Sequence, residues 1–329
     1  MLVVRLIGQS LSPQNASLVP FRTKKFQFQT GGETLLPALS NPLARPSKLD
    51  YRRSANAQEG EPVTETIGLD VVWDFTLFAA VGFLAQLVDG ALGMAYGVVS
   101  TTVLLAFGVP PANASASVHV AELFTTGASG ASHLMHRNVD RKLFWRLAPA
   151  GIAGGVIGTY LLTSIDGDVI KPFIVAYMAV MAFVILWRTL RRFKPRTETP
   201  RGVSLLGLVG GFVDAVGGGG WGPVVTSSLV GAGGVPRYVI GTVNTAEFLL
   251  TAAVSASFAV ALFSGHWEEG GDLANNAAAV AGLITGGLVA APVAGYAVKR
   301  ISARPLGVAV GVLILLLVLF QAAKLAAWI

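Results

Sequence analysis

The chain has no cysteine, which excludes disulfides, thiolate metal sites and cysteine nucleophiles. Charge is also scarce: 13% of the 329 residues are Asp, Glu, Lys or Arg against 53% hydrophobic, too little polar surface for a soluble domain of this length. Histidine occurs only four times and scattered, so no metal site is expected. His-Glu-x-x-His, Gly-x-Ser-x-Gly and a phosphate loop are all missing, and the Gly217–Gly220 run is followed by Trp221 and not by Lys-Ser/Thr. These absences argue against an enzyme and against a cofactor. The formal charge of +6 does not point to nucleic acid either. Eight of the 24 Lys and Arg lie in the first 53 residues, and most others sit in short loops between apolar runs.

What remains is apolar and segmented. Residues 1–70 stand apart, basic at first and then acidic at Glu59, Glu61 and Glu65, and read as a disordered or extramembrane tail. No apolar stretch precedes Ser54-Ala-Asn-Ala57, so a cleaved signal is not expected, whereas a transit segment and a mistaken upstream start stay open. Apolar segments then fall at 72–88, 94–108, 111–134, 144–164 and 168–188, and again at 203–216, 221–233, 237–263, 273–298 and 305–328. In each half the first two are short, while the later three reach the roughly 20 residues that cross a bilayer as helix. Each short pair is either a re-entrant hairpin of half-helices or two tilted or broken spans. The predicted fold is an all-α polytopic membrane protein with a first repeat over 71–190, a basic cytoplasmic linker at 191–202 and a second repeat over 203–329.

The two halves are copies. Phe83-Leu-Ala-Gln-Leu-Val-Asp89-Gly90-Ala-Leu-Gly93-Met94-Ala-Tyr96-Gly97 is matched 125 positions later by Leu208-Val-Gly-Gly-Phe-Val-Asp214-Ala-Val-Gly217-Gly218-Gly219-Gly220-Trp221-Gly222. Gly108-Val-Pro110 returns as Gly234-Val-Pro236, and Ser117-Val-His119-Val-Ala-Glu122 as Thr242-Val-Asn244-Thr-Ala-Glu247. Loop charge sets the orientation. The loops at 135–146, 188–201, around Arg237 and at 299–304 hold 14 basic residues, and by the positive-inside rule they are cytoplasmic. The connections at 163–172 and 263–272 hold Lys171 against Asp166, Asp168, Glu268, Glu269 and Asp272, which puts them outside with the N-terminal tail and the C-terminus. Matching loops of the two halves thus fall on opposite sides. Inverted repeats, each interrupted at the same place, are the architecture of secondary transporters with a midplane site.

Asp89-Gly90-Ala-Leu-Gly93, Gly217–Gly220 with Trp221-Gly-Pro223, and the two Gly-Val-Pro turns resemble the TauE/SafE sulfite-exporter family, also called the toluene-sulfonate uptake permease group, over about residues 72–328. The resemblance implies an inner-membrane carrier for a small anion such as sulfite or a sulfonate, embedded in the lipid bilayer. A homo-oligomer stays open. The first copy departs from the glycine-run pattern at Ala91 and Leu92.

Ionisable groups in apolar segments are costly and therefore informative. Asp89 and Asp214 stand at the breaks, as caps of the following half-helix, as coupling groups or as surface residues. Helix starts near Met94 and Trp221 would aim free N–H groups at an anion, which matters because no Lys or Arg is predicted within the hydrocarbon core. The candidate substrate contacts are Gly93, Met94, Tyr96, Ser100, Thr101, Gly218, Gly219, Gly220, Trp221, Thr226 and Asn244. Tyr96 and Trp221 either gate the tips or fill glycine-made gaps. Glu122 and Glu247 are the sharper coupling candidates, with His119 on the face of Glu122 as its partner and Asn244 before Glu247. Proton coupling through His119 and Glu122 and a static hydrogen-bond network both fit. Trp73, Trp145, Trp187, Trp267 and Trp328 read as interface anchors, and His133, His136 and His266 as interfacial. An anion channel, a membrane-embedded enzyme and an assembly role are the rival readings.

Overall fold

Helix starts follow the signals in the sequence. Asp140 accepts from the backbone N–H groups of Lys142 and Leu143, Asp166 from those of Asp168 and Val169, and Pro111 and Pro236 open their helices. The computed structural model describes residues 63–191, 202–267, 270, 276–300 and 303–326. The expectations for residues 1–62, most of the 191–202 linker, Glu268, Glu269, Asp272 and Trp328 lie outside them.

The elements are α1 (Val63–Leu92), α2 (Tyr96–Ala106), α3 (Pro111–Met135), α4 (Arg141–Ser164), α5 (Gly167–Leu190), α6 (Val203–Gly217), a π-helical turn (Gly222–Thr226), α7 (Ser227–Gly231), α8 (Pro236–Phe263), α9 (Ala277–Arg300) and α10 (Ala303–Ala326). No strand occurs among the described residues. Five stretches are long and apolar enough to cross a membrane: Val71–Gly90, Arg141–Ser164, Gly167–Leu190, Pro236–Phe263 and Gly307–Ala326. The large apolar side chains that face outward, such as Phe173, Phe183, Val260 and Phe263, give these helices a lipid-compatible surface. The chain is a multi-pass α-helical membrane protein.

Two expectations need correcting. The first segment is not short: α1 runs for 30 residues because the apolar stretch continues a helix begun in the polar approach, whereas its repeat mate α6 has 15. Trp267 is no interface anchor; it is 4% exposed and packs on Phe258 with ring centroids 5.5 Å apart. Trp73 and Trp145 are exposed as expected.

Packing is reciprocal between the halves. α1 lies on α9 and α6 on α4; α3 pairs with α8 and α5 with α10; α3 also meets α9 as α8 meets α4. Glycines set the closest approaches. A Cβ on Gly82 of α1 would come within 2.5 Å of the Leu283 carbonyl oxygen, and one on its repeat mate Gly207 of α6 within 2.8 Å of that of Leu147. Loop contacts group the ends of the helices. Arg237 Nε donates to Asn138 Oδ1 at 2.5 Å at one end, and Ser164 Oγ lies 2.8 Å from His266 Nε2 at the other.

Candidate functional site

The two breaks meet. Between α1 and α2 the chain turns at Gly93 (φ 65°) and Ala95 (φ 115°), and after α6 it turns at Gly218 (φ 63°) and Gly219 (φ 148°). The tips touch glycine to glycine: a Cβ on Gly97 would lie 2.6 Å from the Gly219 Cα, and one on Gly222 would lie 2.8 Å from the Met94 Cα. Only residues without a side chain allow that approach. The Thr101 hydroxyl donates to the Gly218 carbonyl, tying α2 across to the second break, and the Tyr177 hydroxyl donates to the Gly219 carbonyl at 3.3 Å.

Each break is held by its own aspartate. Asp214 Oδ1 accepts the N–H groups of Gly220 at 2.6 Å and Trp221 at 2.8 Å. Asp89 accepts the N–H of Tyr96, the position that corresponds to Trp221. Three N–H groups of these turns, those of Tyr96, Gly220 and Trp221, are therefore taken by carboxylates. Both paired aromatics fill glycine-made gaps. Trp221 is fully buried, its ring seated on Gly151 of α4 and its Nε1–H donating to the Val243 carbonyl at 3.1 Å. Tyr96 lies against Gly287 of α9 and donates to the Leu283 carbonyl at 2.9 Å.

Across this junction α3 presents a polar stripe at Ser115, His119, Glu122, Thr126 and Ser129, the 4-3-4-3 spacing of one helix face. Ser115 Oγ donates to the Ala215 carbonyl at 2.6 Å. His119 finds a partner other than the one expected. Its Nε2 lies 3.2 Å from Asp214 Oδ2, while Glu122 completes a buried trio with them. His119 Nδ1 stands 2.8 Å from the Ser115 carbonyl, an acceptor only, so Nδ1 carries a proton. In the second half Asn244 does not pair with Glu247 but donates to Ser129 Oγ at 3.0 Å. Thr126 and Thr251, at equivalent positions of the two copies, stand 3.5 Å apart between α3 and α8.

Two small adjoining cavities open here. One is lined by Gln86, Asp89, Tyr96, Glu122, Thr125, Thr126, Ser129, Asn244 and Glu247, the other by Asp89, Tyr96, Glu122, Asp214, Gly219, Gly220 and Glu247 among others. Each encloses about 10 Å³, room for about one water molecule, so in this conformation neither holds space for a substrate anion. Four carboxylates wall it: Asp89, Glu122, Asp214 and Glu247. Arg188, in the last turn of α5, is the basic side chain that feels Asp89, and its Nη1 is buried without a hydrogen-bond partner among the described residues.

Of the candidate contacts, Tyr96, Gly219, Gly220 and Asn244 line the cavities, together with the coupling candidates Asp89, Glu122, Asp214 and Glu247. Ser100 and Thr226 are buried with hydroxyls that have no partner among the described residues, and Met94 and Trp221 are core packing. Gln86, Ser115, Thr125, Thr126, Ser129, Tyr177 and Arg188 were missed. The stripe spacing on α3 would have found most of the α3 members.

A family model described as "Sulfite exporter TauE/SafE" matches residues 78–320. The "Probable membrane transporter protein YtnM" of Bacillus subtilis (strain 168) is 44% identical over 247 residues, covering 73% of this chain and 80% of that protein. The "Probable membrane transporter protein ORF9" of Sinorhizobium sp is 28% identical over 201 residues, 59% of this chain and 75% of that protein. No solved structure matches the chain. With a family model spanning most of its length, the chain belongs to the TauE/SafE sulfite exporter family of membrane transporters.

Proposed function

We propose that this protein is a secondary carrier that moves a small anion, sulfite or a sulfonate, across the cell inner membrane by alternating access. The observation that carries this reading is the small polar chamber where two interrupted segments, one from each copy, meet glycine to glycine. Reciprocal packing of the halves supports two inverted repeats that rock about that chamber, with the basic loops cytoplasmic and the acidic loops and both termini outside. The substrate class comes from the family's name.

Charge adds a condition. An anion entering a chamber walled by four carboxylates meets strong repulsion unless positive charge enters with it. Transport is therefore cation-coupled, and proton coupling is one form of it. The test is uptake and efflux in proteoliposomes with sulfite, sulfonates, sulfate and carboxylates under imposed pH and sodium gradients. Accumulation of sulfite or a sulfonate against its gradient, saturable and driven by a cation gradient, is the expected outcome. Flux that never exceeds equilibration would make the protein a channel and sink the carrier reading.

A further inference from the structure

We propose that His119, Glu122 and Asp214 form a binding site for one divalent transition-metal ion of the zinc or manganese type, at the junction of the two breaks. The site lies in the chamber assigned above, and the inference deepens that reading by naming the positive charge that travels or resides there. The three residues are each buried and offer one ligand atom apiece, all within 4.8 Å of one another. His119 and Glu122 sit three apart on α3 and share a face, while Asp214 comes from the end of α6.

Three features orient these donors toward a common point. The Ser115 carbonyl takes the Nδ1–H of His119, which fixes the tautomer and turns the Nε2 lone pair to the carboxylates, the second-shell arrangement typical of a ligating imidazole. The backbone N–H groups of Gly220 and Trp221 hold Asp214 by Oδ1 and leave Oδ2 facing His119 Nε2 at 3.2 Å, close to the edge of about 3.3–3.5 Å that ligands at about 2.0–2.2 Å from a tetrahedral ion would span. Glu122, 3% exposed, has an Oε2 with no hydrogen-bond partner among the described residues. An imidazolium on His119 would answer Asp214 but not that Glu122 oxygen. A divalent ion answers both, since two carboxylates and a neutral imidazole carry two negative charges.

The donor set decides the type of ion. One imidazole nitrogen with two carboxylates suits zinc or manganese, whereas sodium, calcium and magnesium are held by oxygen alone. Three protein ligands leave a fourth position, and the Glu122, Asp214, Gly219 and Gly220 wall puts it in the chamber, where an oxyanion could take it. The second copy has no such trio, because Asn244 stands where the first has His119.

The test uses the full chain in detergent, stripped with chelator and titrated with Co²⁺ and Zn²⁺. One equivalent of Co²⁺ with the intense visible absorption of a four- or five-coordinate ion is expected, and Zn²⁺ should displace it. His119→Ala and Glu122→Gln should each weaken Zn²⁺ binding by about 100-fold or more, while His133→Ala and His266→Ala leave it unchanged. Zn²⁺ should raise the melting temperature of the wild type and not of Glu122→Gln, a near-isosteric change that keeps the fold. Binding that survives in both ligand variants, or wild-type protein that binds no more metal than they do, overturns the proposal. Proteoliposomes separate the two readings. Metal bound with no anion moved supports the site and sinks the carrier. Anion accumulation undiminished in chelator-stripped vesicles, together with wild-type protein that binds no more metal than the ligand variants, leaves the carrier and sinks the metal.

Discussion

At the level of single residues, the strongest demands fall on groups that share one small volume. Asp214 is 1% exposed, and its Oδ1 is the acceptor that the Gly220 and Trp221 N–H groups have. Asp214→Ala strands both donors in the core, at about 1–3 kcal/mol each, whereas Asp214→Asn keeps an acceptor oxygen in place. Thermal melts in detergent should therefore rank wild type above Asn and Asn well above Ala. A tie between Asn and Ala would show that the cap does not hold the break. Gly97 is constrained from two sides, since a Cβ there would stand 2.6 Å from Glu122 Oε1 and as close to the Gly219 Cα. Gly97→Ala should cost about 1–3 kcal/mol of stability by overpacking and reduce substrate flux, because the clash pushes on the chamber wall. Much of this site was legible in the sequence, as a carboxylate before glycines in an apolar run can only be a cap or a functional group. The partner of His119 was not legible. It lies 95 positions away, and helical spacing points only to near neighbours such as Glu122.

At the level of elements, hydropathy located the helices but misjudged the length of α1. α1 is longer than its apolar run because helix continues into polar sequence, which a hydropathy reading stops at. α3 is absent from the stretches apolar enough to span, although it sits at the centre of the bundle, because its buried face carries Ser, His, Glu and Thr. The second break shows what the first lacks. Ala95 adopts φ 115°, a left-handed region unfavourable for any residue with a Cβ, whereas the positive-φ positions of the second break, Gly218 and Gly219, are both glycine. Ala95→Gly should raise the melting temperature by a few degrees through relief of about 1 kcal/mol of strain, and Ala95→Val should lower it. Equal melts for the two variants would mean that the turn relaxes at no cost. The α4–α6 contact is glycine-made, with Gly154 against the Leu208 carbonyl. Gly154→Leu should separate these helices and abolish folded protein in detergent, read by size-exclusion chromatography, while Leu at the open turn position Gly108 should affect only the local turn, where φ is 89°.

At the scale of the whole molecule, the fivefold pattern repeated twice was readable from the sequence, but the partner exchange was not. Periodicity says which face of a helix is buried and is silent on which helix covers it, so α1 on α9 and α6 on α4 emerge only from the packing. That exchange matters mechanically. Helices of one copy rest on helices of the other, so the proposed rocking would have to shift at least one such pair, and α3 with α8, joined at Thr126 and Thr251, is the one to lock first. The absence of cysteine makes the idea directly testable, since an introduced pair has no other thiol to join. With hydroxyl oxygens 3.5 Å apart, Thr126→Cys combined with Thr251→Cys should form a disulfide on mild oxidation, seen as loss of both free thiols by maleimide mass tagging. If α3 and α8 shift against each other in each cycle, the oxidised protein should lose at least about 90% of its anion accumulation and regain it with reductant, while each single cysteine variant transports normally with or without oxidant. A cross-linked protein that still accumulates substrate at the full rate would place the moving seam elsewhere, and α1–α9 and α4–α6 would then be the pairs to lock next.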